Sequence, residues 1–199
     1  MTKHSKNISL AILSGGKASR LGGISKALIE YKSQPFVSMI YNELSPIFSE
    51  TIIISNSPEE FTFLDVPVFK DIYQQKGPLG GIHSALKNAK GKAVFIVSCD
   101  MPFVKLSVAK RLLSEFNDET IEAVIPTINE NMEPLFGIYC KSGVDIVERM
   151  LSAGKSYSIR KYLDLINTVY IDIPLNKEFS RCFTNVNTPN DLDRIRRYD

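Results

Sequence analysis

An apolar run, Leu10-Ala11-Ile12-Leu13, breaks into Ser14-Gly15-Gly16-Lys17-Ala18-Ser19-Arg20-Leu21-Gly22-Gly23-Ile24-Ser25-Lys26, a glycine-punctuated stretch carrying three cations. Glycine lets backbone N–H groups approach a phosphate or a base edge, and Lys17, Arg20 and Lys26 can neutralise the oxygens of a triphosphate. By chemistry this is a phosphate loop. It is neither a GxxxxGK[ST] loop nor a GxGxxG fingerprint, since the chain contains neither pattern. An ordinary glycine turn with solvated lysines accounts for the glycines alone, but not for the spacing of Arg20 and Lys26.

A second candidate is Asp100, in Val94-Phe95-Ile96-Val97-Ser98-Cys99-Asp100-Met101-Pro102. The run reads as a buried strand ended by a carboxylate, with Pro102 blocking the ladder beyond. A carboxylate there can hold Mg²⁺, which binds through one or two carboxylates plus substrate phosphates and keeps its remaining waters. Taken alone, it reads more readily as a turn-forming Asp before a Pro-containing loop. A third segment runs from Asp71 through Gly77-Pro78-Leu79-Gly80-Gly81, placed ahead of a helix expected to start near Ile82. Its glycines either offer N–H donors and a favourable dipole to an anion or serve a tight turn and close packing. Asp71 can accept from a base or ribose group. In Asn185-Val186-Asn187-Thr188-Pro189, Thr188 and Pro189 form a helix start, and alternation in an extended stretch turns Asn185 and Asn187 the same way, toward a polar site. His83 is expected on the packed or partly exposed face of its helix. No Ser/His/Asp order, HExxH or EF-hand pattern accompanies it.

These residues need elements to hold them. Apolar, β-branched runs at Ile8–Leu13, Thr51–Ser55, Ala93–Ser98, Ala123–Pro126 and Val169–Ile173 read as strands, with a short strand at Val68–Phe69. Three- and four-residue apolar spacing predicts helices at Phe36–Leu44, Ile82–Asn88, Val108–Phe116, Val144–Leu151, Ile159–Leu165 and Leu192–Arg197. Strands alternating with helices imply an α/β fold: a mostly parallel, twisted sheet with helices on both faces and ligands at the carboxyl ends of its strands. Every motif above falls at such an end.

Composition narrows the class. With 199 residues, 44% of them hydrophobic, one compact domain is expected. Lys and Arg total 24 against 22 Asp and Glu, so no global field favours nucleic acid or a membrane surface. Cys99, Cys140 and Cys182 are odd in number, far apart and without a CxxC pair, which speaks against disulfides and thiolate metal sites and for a reducing cytoplasm. The first apolar run is too short for a signal segment or a membrane span.

In order and over nearly the whole chain, LSGGKASRLGGISK at 13–26, Asp71 with GPLGG at 77–81, SCDMP at 98–102 and NVNTP at 185–189 resemble the molybdenum cofactor guanylyltransferases. These lie within the wider nucleotidyltransferase family of sugar-phosphate and cytidylyl enzymes. The first and third pieces are shared across that superfamily, while GPLGG and NVNTP lean toward the molybdopterin branch. The resemblance implies a single Rossmann-like nucleotidyltransferase domain over residues 1–199, with the nucleotide part at roughly 8–105 and the acceptor part at roughly 106–199. It implies transfer of GMP from GTP to a molybdopterin phosphate, with Mg²⁺ as cofactor and transient contacts with other molybdenum cofactor proteins. Carried over, Leu13, Ser14, Gly15 and Gly16 contact the nucleotide through backbone. Lys26 meets the phosphates, Asp71 the nucleoside, and Asp100 both nucleotide and Mg²⁺; Arg20 joins Lys26 and Asp100 as catalytic, and Asn185 and Asn187 line the acceptor side. Two departures stand out: LSGG replaces the usual LAGG, and Ser55-Asn56 stands where the family often has an asparagine directly after its second strand. Met132–Tyr139 and Gly154–Arg160, with Lys155 and Arg160, are candidate acceptor segments. The rival readings are CTP on molybdopterin, a nucleotide on a sugar or terpenoid phosphate, and a non-enzymatic nucleotide-binding regulator.

Overall fold

The computed structural model describes residues 7–15, 20–21, 24–117, 119–154, 158–174, 179 and 181–196. In chain order its elements are β1 (Ile8–Leu13), α1 (Phe36–Leu44), β2 (Glu50–Ile54), β3 (Val68–Phe69), α2 (Gly77–Asn88), β4 (Ala93–Ser98), α3 (Leu106–Glu115), β5 (Ala123–Ile128), β6 (Asn131–Met132), β7 (Phe136–Cys140), α4 (Val144–Ala153), α5 (Ile159–Leu163), β8 (Thr168–Asp172) and α6 (Pro189–Arg196). Two small hairpins, Arg20–Leu21 with Ile24–Ser25 and Glu30–Tyr31 with Gln34–Pro35, flank a 3₁₀ turn at Lys26–Leu28.

β1 and β4 are buried along their whole length, as a parallel strand covered on both faces must be. β1 lies parallel between β4 and β2, and β3 follows β2. Beyond β4 the sheet turns antiparallel through β7, which pairs in turn with β5; β6 folds back on β5, and β8 runs parallel beside it. The chain thus fills one side of β1 with β2 and β3 before crossing to β4 on the other. That reversal of direction opens a crevice at the strands' carboxyl ends.

Alternation along β1 divides the core in two. Ile8, Leu10 and Ile12 face Val37, Ile40 and Leu44 of α1 and Val108, Leu112 and Leu113 of α3. Ala11 and Leu13 face Leu79, Ile82 and Leu86 of α2, with Val147 and Leu151 of α4 behind. Each such buried aliphatic side chain contributes about 1.5–3 kcal/mol by leaving water. A third, smaller cluster of Ile29, Tyr31, Phe36, Val186 and Ile195 ties α6 to the second hairpin and so brings the end of the chain back over Lys26.

Two expectations need correcting. The glycines of GPLGG do not precede their helix; α2 starts at Gly77, and Gly80 and Gly81 lie buried within it. A Cβ on Gly80 would stand 2.9 Å from the Tyr73 carbonyl oxygen, and one on Gly81 3.3 Å from Leu13 Cδ1, so both glycines serve close packing. The strand β7 is missing from the predicted pattern; it begins within Met132–Tyr139 and ends one residue beyond it. Gly137 interrupts its apolar pattern because a Cβ there would come within 2.7 Å of Ile125 Cδ1 and 2.9 Å of the Val124 carbonyl.

Candidate active site

The register puts three strand ends level: Leu13 pairs with Ile54 on one side and Ser98 on the other. The ladder runs one step further, Ser14 N–H donating to Ile54 O (2.8 Å), Cys99 N–H to Leu13 O (3.0 Å) and Ser55 N–H to Phe69 O (2.9 Å). The segments then leave the sheet together and wall a cavity of about 290 Å³ whose lining includes Leu13, Ser14, Gly15, Asn56, Asp71 and Ser98.

Asp71 is fixed from both sides. Asn56 donates from Nδ2 to Asp71 Oδ2 (2.9 Å), and Asn56 Oδ1 accepts from the Asp71 N–H (3.1 Å). The next peptide is held by Ser84, whose Oγ accepts from the Ile72 N–H (2.9 Å) and donates to the Gly80 carbonyl (3.0 Å). The other carboxylate oxygen, Oδ1, is buried and has no hydrogen-bond partner among the described residues. Burial raises the Asp71 pKa above the ordinary carboxylate value, and the Asn56 bond partly offsets that rise. A carboxylate so held presents a directed acceptor to a sugar hydroxyl or a base N–H. Gly15 lies against it: a Cβ there would stand in ordinary van der Waals contact with Asp71 Oδ2, at 3.5 Å.

Around Lys26 and Asp100 a second group of side chains gathers. Lys26 is only 4% exposed, and its Nζ donates to Asn187 Oδ1 at 2.6 Å. One residue back, the Val186 N–H donates to the Asp100 carbonyl at 2.9 Å. Two consecutive residues of the late segment, Val186 and Asn187, are thus pinned to Asp100 and Lys26. Nearby, burial raises the Glu133 pKa above the ordinary carboxylate value, and Leu135 and Asn185 oppose the rise. The side chain of Val186 points away into the small third core, as alternation requires. Just beyond, Asp191 Oδ2 accepts from the Asn187 and Thr188 N–H groups (3.0 and 2.8 Å), and Thr188 Oγ1 accepts from the Asp191 N–H, capping α6 and fixing the segment's exit. Asp100 Oδ1 is buried without a hydrogen-bond partner among the described residues. Burial first, and the neighbouring Asp100 charge second, push the Cys99 thiol up to about 12, so this cysteine is a packing residue.

Lys26, Asp100, Asn185 and Asn187 therefore meet at one edge of the sheet, next to the cavity that Leu13, Ser14, Gly15 and Asp71 line. Asn56, rather than Ser55, has its side chain on Asp71. Gly16 and Lys17 lie outside the described residues, as do Gly22, Gly23 and Lys155. Arg20 is described only as backbone, paired with Ser25. Arg160, in the first turn of α5, has an exposed side chain. His83 is fully buried, its ring edge-on to Tyr73 with centroids 5.0 Å apart, and plays no part here. Sequence reasoning did not single out Glu133 or Ser84. A lone loop glutamate and a mid-helix serine carry no pattern; only the tertiary partners identify them.

Among the described residues no group of three or more His, Cys, Asp and Glu side chains is arranged to hold a metal unaided. The donor set suits a hard cation completed by substrate: an orphaned oxygen of Asp100 beside space for phosphates.

Known proteins resemble this chain over nearly its whole length. A protein of Clostridium perfringens named a probable molybdenum cofactor guanylyltransferase is 38% identical over 193 residues, covering 95% of this chain and 96% of its own. The molybdenum cofactor guanylyltransferase of Syntrophotalea carbinolica is 31% identical over 95% of this chain and 90% of its own. The solved structure of molybdopterin-guanine dinucleotide biosynthesis protein A from Archaeoglobus fulgidus superposes with a TM-score of 0.79 at 27% identity, covering 96% of this chain and 97% of that one. The family model of the MobA-like NTP transferase domain matches residues 10–168, and with these relatives it shows that the chain belongs to the MobA-like NTP transferases.

Proposed function

We propose that this chain transfers GMP from GTP to the phosphate of molybdenum-bound molybdopterin, forming the guanine dinucleotide cofactor and releasing diphosphate. The observation that carries the reading is the convergence of Lys26 and Asp100, through one strap of residues 185–187, beside a cavity built on three level strand ends. Relatives that bear the guanylyltransferase name over nearly their full length supply the donor and acceptor.

Leu13, Ser14 and Gly15 follow the nucleotide with their backbone, and Asp71, oriented by Asn56, accepts from the nucleoside. An acceptor phosphate oxygen attacks the α-phosphorus in line; the new P–O bond forms as the bond to the bridging oxygen of diphosphate breaks. The attacking oxygen is already ionised, so no general base is needed and catalysis reduces to positioning and charge stabilisation. Lys26 neutralises the departing diphosphate, and Arg20 is assigned to the same role. Asp100 is the residue that would hold Mg²⁺, which when bound offsets negative charge on the phosphate oxygens. Asn185 and Asn187 border the acceptor. In this scheme residues of roughly 8–105 bind nucleotide and those of roughly 106–199 bind acceptor. The reaction belongs to the cytoplasm, with transient contacts to other molybdenum cofactor proteins.

The test is diphosphate release by the purified chain with molybdopterin and either GTP or CTP. Magnesium-dependent turnover with GTP and little with CTP is expected. Faster turnover with CTP, or no diphosphate with any nucleotide and acceptor, would overturn the assignment.

A further inference from the structure

Ser84 is a polar residue in an apolar place. It lies within α2, fully buried, where serine forms helix less readily than alanine and its hydroxyl must be bonded to justify leaving water. Both functions of that hydroxyl are taken: Oγ donates to the Gly80 carbonyl one turn back (3.0 Å) and accepts from the Ile72 N–H (2.9 Å). The first bond fixes the direction of the hydroxyl proton and so turns a lone pair toward Ile72. The second reaches out of the helix to the peptide that follows Asp71. Side chains rather than a strand secure this stretch, since the N–H groups of Asp71 and Ile72 end on Asn56 and Ser84. The Ile72 side chain is 52% exposed, so apolar burial does not anchor it. The helix face beneath allows close approach: Gly80 leaves room for the Tyr73 carbonyl, and a Cβ on Gly81 would stand 3.9 Å from Asp71 Oδ1. Asp71 is thus held between two clasps, with Oδ1 buried and without a hydrogen-bond partner among the described residues.

We propose that Ser84 is a positioning residue for the nucleotide: its hydroxyl, acting through the Ile72 peptide, keeps the Asp71 carboxylate aimed at the nucleoside and so sets affinity for GTP rather than for the acceptor. A carboxylate already aimed loses less freedom on binding. Without the hydroxyl, the Ile72 N–H must turn to water or another acceptor, and Asp71 moves with it. The Gly80 carbonyl keeps its place in the helical ladder, so α2 itself stays formed. This rests on the reading of Asp71 as a nucleoside contact.

The experiment compares Ser84→Ala, Asp71→Ala, the Ser84→Ala/Asp71→Ala double variant and Ala85→Gly, which weakens the same helix but removes no bond to Ile72. It measures equilibrium binding of GTP with magnesium and no acceptor, KM for GTP and for molybdopterin, kcat, and the thermal melt. Ser84→Ala should weaken GTP binding and raise the GTP KM by about tenfold, the scale of one misaligned hydrogen bond to a charged group. Its kcat at saturating GTP and its molybdopterin KM should stay at the parent values. Asp71→Ala should weaken GTP binding at least as much, and the double variant should match Asp71→Ala, because Ser84 acts only through that carboxylate. Ala85→Gly should lower the melt and leave GTP binding unchanged. Unchanged GTP binding in Ser84→Ala beside a weakened Asp71→Ala, effects that multiply in the double variant, or an equal loss of binding in Ala85→Gly at a temperature where both chains are folded would each overturn the assignment. Unchanged GTP binding in Asp71→Ala would instead sink the nucleoside reading of Asp71, and the role of Ser84 with it.

Discussion

Replacing Lys26 by methionine separates chemistry from folding, because the two effects can be estimated independently. Methionine keeps the length and most of the volume of the side chain while deleting its charge. At an effective dielectric of about 20, an ammonium about 4 Å from a phosphate charge is worth about 4 kcal/mol. Part of that is already felt by bound GTP, leaving about 3 kcal/mol for charge that develops as diphosphate departs, or about a hundredfold in kcat. Stability should hardly move. The bond from Lys26 Nζ to Asn187 Oδ1 ends on an exposed asparagine, and losing it costs about 1 kcal/mol. Removing an ammonium that is only 4% exposed returns its desolvation cost. With opposing contributions of this size, Tm should shift by no more than about 4 °C in a chain of 199 residues. The assay is single-turnover diphosphate release beside a thermal melt. A Lys26→Met chain within threefold of the parent in kcat, at any Tm, would refute the role given to this side chain. A loss of activity matched by collapse of the melt would refute the claim that the charge is there for chemistry.

Three further outcomes follow from the buried groups and the packing. Asp71 has a raised pKa, so its ionisation opposes folding: Asp71→Asn should be more stable than the parent at neutral pH, with the advantage shrinking to nothing as pH falls below the ordinary value of 3.8. Chemical denaturation across pH measures this, and the GTP KM should rise in the same variant. Burial lowers the His83 pKa against a smaller opposing pull from Glu148, so the fold prefers the neutral ring. Stability should therefore drop as pH falls through 6.5 and beyond, and His83→Leu should flatten that part of the profile; an unchanged slope would clear His83 of the effect. Gly80→Val should cost about 1–3 kcal/mol, because its Cβ would meet backbone at Tyr73 2.9 Å away. Gly81→Ala meets the flexible Leu13 methyls at 3.3 and 3.6 Å and Asp71 Oδ1 at 3.9 Å rather than backbone, so denaturant midpoints should show it much the milder of the two.

The sequence disclosed most where one residue type and its neighbours settle the matter locally. β1 and β4 are strands because six apolar or small residues in a row suit a strand covered on both faces, and α1 follows from the spacing of Phe36, Val37, Ile40 and Leu44. Asp100 was legible because a carboxylate closing such a strand must emerge at the sheet edge. What could not be read was set by close approach between distant segments. β7 hid behind Gly137, whose missing side chain answers to Val124 and Ile125. The choice between anion binding and packing at Gly80 and Gly81 turned on Tyr73 and Leu13. Ser84 became visible only once the Ile72 N–H, 12 positions earlier, donated to its hydroxyl.

The two halves of the site are built by different means, and that difference bears on how substitutions should spread. The proposed nucleotide side rests on parallel strands in one register, so Leu13, Ile54 and Ser98 cannot move separately without breaking ladder bonds in a core buried on both faces. The proposed acceptor side rests on the single bonds Lys26–Asn187 and Val186–Asp100, backed among the described residues by the small cluster around Val186 and Ile195. Losing one bond there leaves the sheet intact but releases a tether. Substitutions at Asn185 and Asn187 should therefore change acceptor affinity while the melt holds. Cavities cut at Ile12 or Val97, both fully buried, should lower Tm before they alter either KM. Hydrogen exchange gives the direct comparison: amides of β1 and β4 should exchange only with global unfolding, and those of residues 185–187 well before it. Equal protection of the two would mean that the late segment is part of the rigid core, and the tether argument would fail.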